Sequence, residues 1–307
     1  MSHQKDRDMA LPNFIIIGAQ KAGTTWLAHM LRQHPNVFMP QQEVHFFNFK
    51  KNFNQGINWY KQHFKDAKPG QVVGEKTPNY LWIASEEEHR QAGRKRHQAN
   101  IHQSIAQTLP DVKLIVVVRN PVKRAISAIN HYRRHGEMSP LWSIDDVLFG
   151  KKRHIAQRYG VFDMGRYHYQ IQAYYQCFNP SQIMIVVFEE EITKNPERCL
   201  QKVCQFIGVD DTFQFSRTQT KTNAFINRRV GTALLTHVQP TKPLLTWATL
   251  HKPGIINRLD YLPIMGQPMQ KQVPSDSVIS QLYNYYTKDN EKMFNMLGHP
   301  ITEWIPS

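Results

Sequence analysis

Short, purely apolar runs recur along the chain, separated by longer stretches of mixed character. Phe14-Ile15-Ile16-Ile17 is brief, β-branched and unalternating, the pattern of a strand buried on both faces. Similar runs stand at Val72-Val73, at Leu114 to Val118 and at Ile183 to Phe188. Between them, Thr24 to Gln33, Ile101 to Leu109 and Pro121 to Arg134 read as helices. Buried strands alternating with helices predict an α/β fold, a central and mainly parallel sheet flanked by helices.

The second half is less regular. Asn195-Pro196 offers an N-cap and a first-turn proline, and Leu200, Val203, Cys204 and Ile207 then recur at helical spacing as far as Gly208. The aromatic-rich stretch Tyr167 to Phe178 reads as helix core, and a last helix is expected over Ser277 to Leu297. The basic Gly150 to Gly160 segment reads as a surface loop, and 216–275, with scattered prolines, as loops and short helices. Residues 1–12 read as a flexible tail and 13–307 as one domain, because no linker or repeat divides them.

Composition narrows the class. A hydrophobic share of 41% supports a substantial core and excludes a disordered chain. No apolar run approaches the roughly 18 residues that span a bilayer, and the first residues lack a signal-peptide core. Three cysteines, Cys177, Cys199 and Cys204, have no metal-ligand spacing and need no disulfide, so a cytoplasmic location is expected. With 38 Lys and Arg against 24 Asp and Glu, the net charge of +14 favours anionic partners. Charge alone does not say whether these are nucleotides, polyanions or membranes.

Two strand ends carry the candidate chemistry. Gly18-Ala19-Gln20-Lys21-Ala22-Gly23-Thr24-Thr25 follows a strand and opens a helix, where backbone amides and the helix N-terminus form an anion site. Gly18 and Gly23 have P-loop spacing, but an ATPase loop puts lysine directly after the second glycine, where this chain has Thr24. The dinucleotide fingerprint fits less well, since Gln20 stands where a glycine must let the pyrophosphate approach. The run Leu114 to Val118 ends in Arg119-Asn120-Pro121 instead of the aspartate that helps hold magnesium in a P-loop NTPase. A guanidinium there attracts phosphate, and Ser127 adds a hydroxyl further along the following helix. Two anion pockets at separate strand ends suit a nucleotide with phosphates at two positions.

These residues resemble the sulfotransferases that use 3′-phosphoadenylyl sulfate (PAPS). Lys21-Ala22-Gly23-Thr24-Thr25-Trp26 is similar to that family's 5′-phosphosulfate loop, and Arg119 to Ser127 to its 3′-phosphate site. Glu43-Val44-His45-Phe46-Phe47 and Glu75-Lys76-Thr77-Pro78-Asn79-Tyr80 resemble the heparan sulfate 3-O-sulfotransferase branch and its bacterial relatives. The resemblance implies a P-loop-type sulfotransferase fold, PAPS as co-substrate, 3′,5′-adenosine bisphosphate (PAP) as product and no required metal. It further implies that Lys21 and the amides of Gly23 to Trp26 hold the 5′-phosphosulfate, and that Arg119 and Ser127 hold the 3′-phosphate. Glu43 matches the catalytic base, His45 and Lys76 line the reacting centre, and Arg228-Arg229 match a late basic loop closing over the nucleotide. A base such as Glu43 works best if partial burial raises its pKa toward neutrality.

Alternatives stay open at this level. His45, before two phenylalanines, also reads as a residue satisfying the backbone, and Lys76 beside Glu75 as a surface pair. His131 and His135 have helical spacing, but no glutamate follows the first histidine, which disfavours a zinc site. The heparan-modifying branch carries a membrane anchor and a late disulfide loop that are not read here, and Glu86 to His102 has no assigned counterpart. The acceptor is therefore a hydroxyl on a carbohydrate, a lipid-like molecule or a secondary metabolite, with no specific nucleic acid partner, no membrane span and an open oligomeric state. A P-loop kinase or NTPase and a non-catalytic polyanion-binding protein are the competing functions.

Overall fold

The computed structural model describes residues 10–94, 96–216, 218 and 270–306. Five strands, β1 (Phe14–Gly18), β2 (Val37–Phe38), β3 (Val72–Lys76), β4 (Lys113–Val118) and β5 (Ile183–Val187), form one sheet in the order β2-β3-β1-β4-β5. Every pairing is parallel, which requires the covered faces that the unalternating runs predict. All five residues of β1 are buried.

Helices α1 (Thr24–Leu31), α2 (Lys50–Phe53), α3 (Gly56–Lys61), α4 (Glu86–Gln91) and α5 (Ile101–Thr108) precede β4. Between β4 and β5 lie α6 (Pro121–Arg134), α7 (Ile144–Leu148), α8 (Arg153–Arg158) and α9 (Tyr167–Tyr175). Helices α10 (Pro196–Ile207) and α11 (Asp276–Leu297) complete the described α-helices. α1 packs with α10, whereas α9 packs with α5 and α11. Leu27, Leu31, Ile105, Ile171, Leu200 and Val203 join the strands in the main core. A second cluster joins Val122, Ala125 and Ile129 of α6 to Leu282 and Tyr286 of α11.

Four expectations change. β3 runs beyond Val73 to Lys76, because Ile15 and Ile16 of β1 pair with Glu75 and Lys76. Gly74 belongs to this strand because the ring of Phe14 fills the space a β-carbon would need. The two-residue β2 is too short to leave a periodic signal. Gly150 to Gly160 is not wholly a loop: α8 forms within it, burying Ala156, while Arg153 lies over the rings of Phe149 and Phe162 at 5.3 and 5.2 Å. The tail expected over 1–12 is already packed at Leu11 and Pro12. The expected 216–275 loops lie largely outside the described residues.

Candidate active site

β1 delivers the glycine loop to the carboxyl end of the sheet, where open α/β sheets place their ligand crevice. Gly23 has φ +105°, a left-handed conformation, and a β-carbon there would stand 2.7 Å from the ring of Phe188. Glycine is thus required twice, by torsion and by space. The first helical bond runs from Leu27 N–H to the Gly23 carbonyl at 3.2 Å. The amides of Thr24, Thr25 and Trp26 therefore precede the intrahelical ladder and carry the partial positive charge of the helix start. Ala22 and Thr24 are buried, Lys21 and Thr25 half-buried, and the Trp26 indole donates to the Thr218 carbonyl at 3.0 Å.

The second pocket abuts the first. β4 pairs with β1, so its end places Arg119 beside the loop, and the guanidinium Nη1 donates to the Lys21 carbonyl at 3.1 Å. Arg119 Cζ lies 4.8 Å over the Phe188 ring, and its buried Nε has no partner among the described residues. Asn120 caps α6 by accepting from Lys123 N–H at 3.0 Å, with Pro121 in the first turn. Ser127 is half-buried on the same helix.

Glu43, on the segment after β2, meets an ammonium and an imidazole. Its Oε1 lies 2.7 Å from Lys76 Nζ and its Oε2 lies 3.3 Å from His45 Nε2. Lys76 is buried at the end of β3, so it forms no surface pair with its neighbour Glu75. His45 has φ +56°, and its Nδ1 faces Asn48 Oδ1 at 3.2 Å, which aims Nε2 at Glu43. Burial pushes the Glu43 carboxyl up, but the His45 hydrogen bond and the Lys76 ammonium outweigh it and hold the group at about 2. The expected rise toward neutrality is therefore overturned: two donors on a half-exposed carboxylate outdo its desolvation.

Positive charge dominates the crevice. Burial first, then Arg134 and Arg119, bring the Lys21 ammonium down to about 8, against the pull of Glu43. His131 is held at about 2 by burial and by His135, Lys21 and Arg134. Arg134 and His131 escaped the sequence reading as site residues. The signal was there: Ser127, His131 and Arg134 repeat at helical spacing along one face of α6. Phe188 was read as the last residue of a strand, although an aromatic at a parallel strand's carboxyl end is well placed to line a crevice. Tyr132 of α6 exchanges hydrogen bonds with Gln20 at 2.9 and 3.0 Å, tying the loop to the helix. Arg228 and Arg229 lie outside the described residues.

Across the sheet, the half with β2 and β3 presents Glu43, His45 and Lys76. The half with β4 and β5 presents Arg119 and Phe188, and Lys21 follows central β1. Residues 11–231 match the sulfotransferase domain family. The chain belongs to that family. The chain is 30% identical to mouse heparan sulfate glucosamine 3-O-sulfotransferase 3B1 over 216 residues, 68% of this chain and 50% of that one. It is 25% identical to mouse bifunctional heparan sulfate N-deacetylase/N-sulfotransferase 4 over 96% of its own length and 31% of that protein's. The chain thus spans about half or less of the length of these relatives. The crystal structure of an Alicyclobacillus acidocaldarius sulfotransferase shares its fold, with a TM-score of 0.64 at 20% identity, covering 96% of this chain and 99% of the other. Among the described residues, no helix is long and apolar enough to cross a membrane.

Proposed function

We propose that this sulfotransferase, acting as one domain, moves the sulfonate group of PAPS to an acceptor hydroxyl by in-line displacement, with Glu43 as the base. The observation that carries the reading is Glu43 itself, a carboxylate gripped by Lys76 at 2.7 Å and His45 at 3.3 Å beside a glycine loop and an arginine. The donor set suits a nucleotide phosphorylated at both ribose ends: the helix-start amides and Lys21 for one phosphate, the unpartnered Arg119 Nε with Ser127 for the other. PAPS, when bound, supplies the sulfonate and a phosphate leaving group.

The chain's own residues supply the rest. Lys21 neutralises charge on the leaving phosphate, and Lys76 faces the oxygens of the transferring group. An anion in front of Lys76 loosens its hold on Glu43, so the carboxylate becomes more basic as the site fills. Glu43 then takes the proton of the attacking hydroxyl, and His45 steadies the carboxylate from its other oxygen. Arg119 stands where a magnesium-holding aspartate belongs, which disfavours the kinase reading. A carbohydrate is the favoured acceptor, since both named relatives carry heparan sulfate in their names, and its hydroxyl follows the 3-O-sulfotransferase of the pair. All three cysteines are free thiols, which suits a cytoplasmic enzyme.

The test is transfer of label from 35S-PAPS to a panel of heparan sulfate, small glycosides, sterols and phenols. Labelled product from any of them supports the reading. Magnesium-dependent ATP turnover, or salt-sensitive polyanion binding with no transfer, overturns it.

A further inference from the structure

Beneath the Glu43 loop lies a buried carboxylate to which no role in transfer has been given. Glu75 is fully buried on β3, next in sequence to Lys76. Three hydroxyls converge on it: Thr77 Oγ1 at 2.8 Å and Tyr80 OH at 2.7 Å donate to Oε1, and Tyr60 OH donates to Oε2.

Two of these hydroxyls also touch the loop. Tyr80 OH accepts from the backbone N–H of Phe46 at 2.8 Å and of Phe47 at 3.4 Å, and Thr77 Oγ1 accepts from the His45 N–H at 3.4 Å. A backbone N–H can only donate, so each hydroxyl must receive there and send its single proton elsewhere. For both, the available acceptor is Glu75 Oε1. The carboxylate thereby fixes two hydroxyl rotors with their lone pairs toward residues 45–47. His45 needs such a hold, because its left-handed φ of +56° is unfavourable for a non-glycine residue.

We propose that Glu75 is a positioning residue which, through Thr77 and Tyr80, locks the backbone that carries His45 and so aims its ring at Glu43. The inference rests on the reading of Glu43 as base. Tyr60 provides an internal control. It bonds Glu75 as Tyr80 does and stacks on Phe46 at 4.4 Å, but its hydroxyl does not reach the loop backbone. Tyr60→Phe therefore removes one bond to the carboxylate and leaves the loop contacts intact.

The experiment compares Tyr80→Phe, Thr77→Val, Tyr60→Phe, Glu75→Leu and Glu75→Gln. Amide hydrogen exchange is read at residues 45–47 with PAP bound, and 35S transfer from PAPS to the panel acceptor that wild type labels best gives kcat and KM. Tyr80→Phe and Thr77→Val should speed exchange at these amides and lower kcat about tenfold, with KM for PAPS unchanged. Tyr60→Phe should do neither. Glu75→Gln, which keeps an Oε1 acceptor, should restore most of what Glu75→Leu loses. If Glu75→Leu does not fold, the contrast of Tyr80→Phe and Thr77→Val with Tyr60→Phe decides alone. Wild-type exchange and kcat in Tyr80→Phe and Thr77→Val would overturn the proposal, as would equal losses in Tyr60→Phe and Tyr80→Phe. A wild-type enzyme that neither binds PAP nor transfers label would instead sink the Glu43 reading, and the exchange contrast measured without PAP would still judge Glu75.

Discussion

Glu43 is ionised over the whole working range because two donors share its oxygens, so its neutral isostere is the sharpest probe of the site. Glu43→Gln should lower kcat by about 100-fold or more, the usual scale for removing a general base. PAP affinity measured by calorimetry should stay near wild type. A carboxyl held at about 2 against an ordinary 4.5 stabilises the fold above the higher value and loses that contribution as pH falls toward the lower one. Acid melting curves should therefore show wild type losing its advantage over Glu43→Gln between these two values. Lys21 titrates on the other side. It is charged below about 8, and a bound phosphate draws it upward, so PAP affinity should fall by up to about tenfold per pH unit above 8. Calorimetric Kd values at neutral and alkaline pH check this. Glu43, His45, Lys76, Lys21 and Arg119 were all legible as candidates, because each sits in a short motif. The direction of the Glu43 shift was not, since it depends on the His45 hydrogen bond and on Lys76 Nζ reaching over from β3.

Among the elements, the loop between β1 and α1 has the narrowest tolerance. Gly23→Ala puts a side chain at φ +105° and against Phe188, so it should cost about 1–3 kcal/mol and weaken PAP binding together. Thermal denaturation with and without PAP reads both effects. Arg119→Ala should weaken PAP far more than adenosine 5′-phosphate, because a lost guanidinium removes a bidentate partner for a single phosphate. Equal loss for both ligands would mark general damage near Phe188. The strands β1, β4 and β5 and the helices α1, α6, α10 and α11 were readable from periodicity and caps, with α6 matching Pro121 to Arg134 end to end. β2 and the carboxyl half of β3 were hidden, since Gly74-Glu75-Lys76 owes its strand form to pairing with β1 and not to its own composition. The stretch from Glu86, which had no assigned counterpart, docks onto the end of the Glu43 segment through an antiparallel bridge between Phe49 and His97. α4 at its start carries a capping box from Ser85 to Glu88.

For the whole molecule, the excess of +14 becomes intelligible once its local share is seen: Lys21, Lys76, Arg119 and Arg134 gather around one crevice, where Glu43 acts on Lys21 and Glu189 on Arg119. PAP at 100 times its Kd should stabilise the fold by about 2.7 kcal/mol, with ATP and NAD giving little, as thermal-shift titration would record. The sheet order carries a longer consequence. Lys21 and Arg119 follow the central strand and one flank, whereas Glu43, His45 and Lys76 come from the opposite flank; on the proposed function, most of the grip on the nucleotide and the proton-accepting group thus sit on different sides of the sheet. On that reading, evolution can redraw the acceptor's doorway by changing the segments after β2 and β3 without disturbing the grip on the nucleotide. Diversity of acceptors on a constant donor apparatus is the expected legacy of that partition.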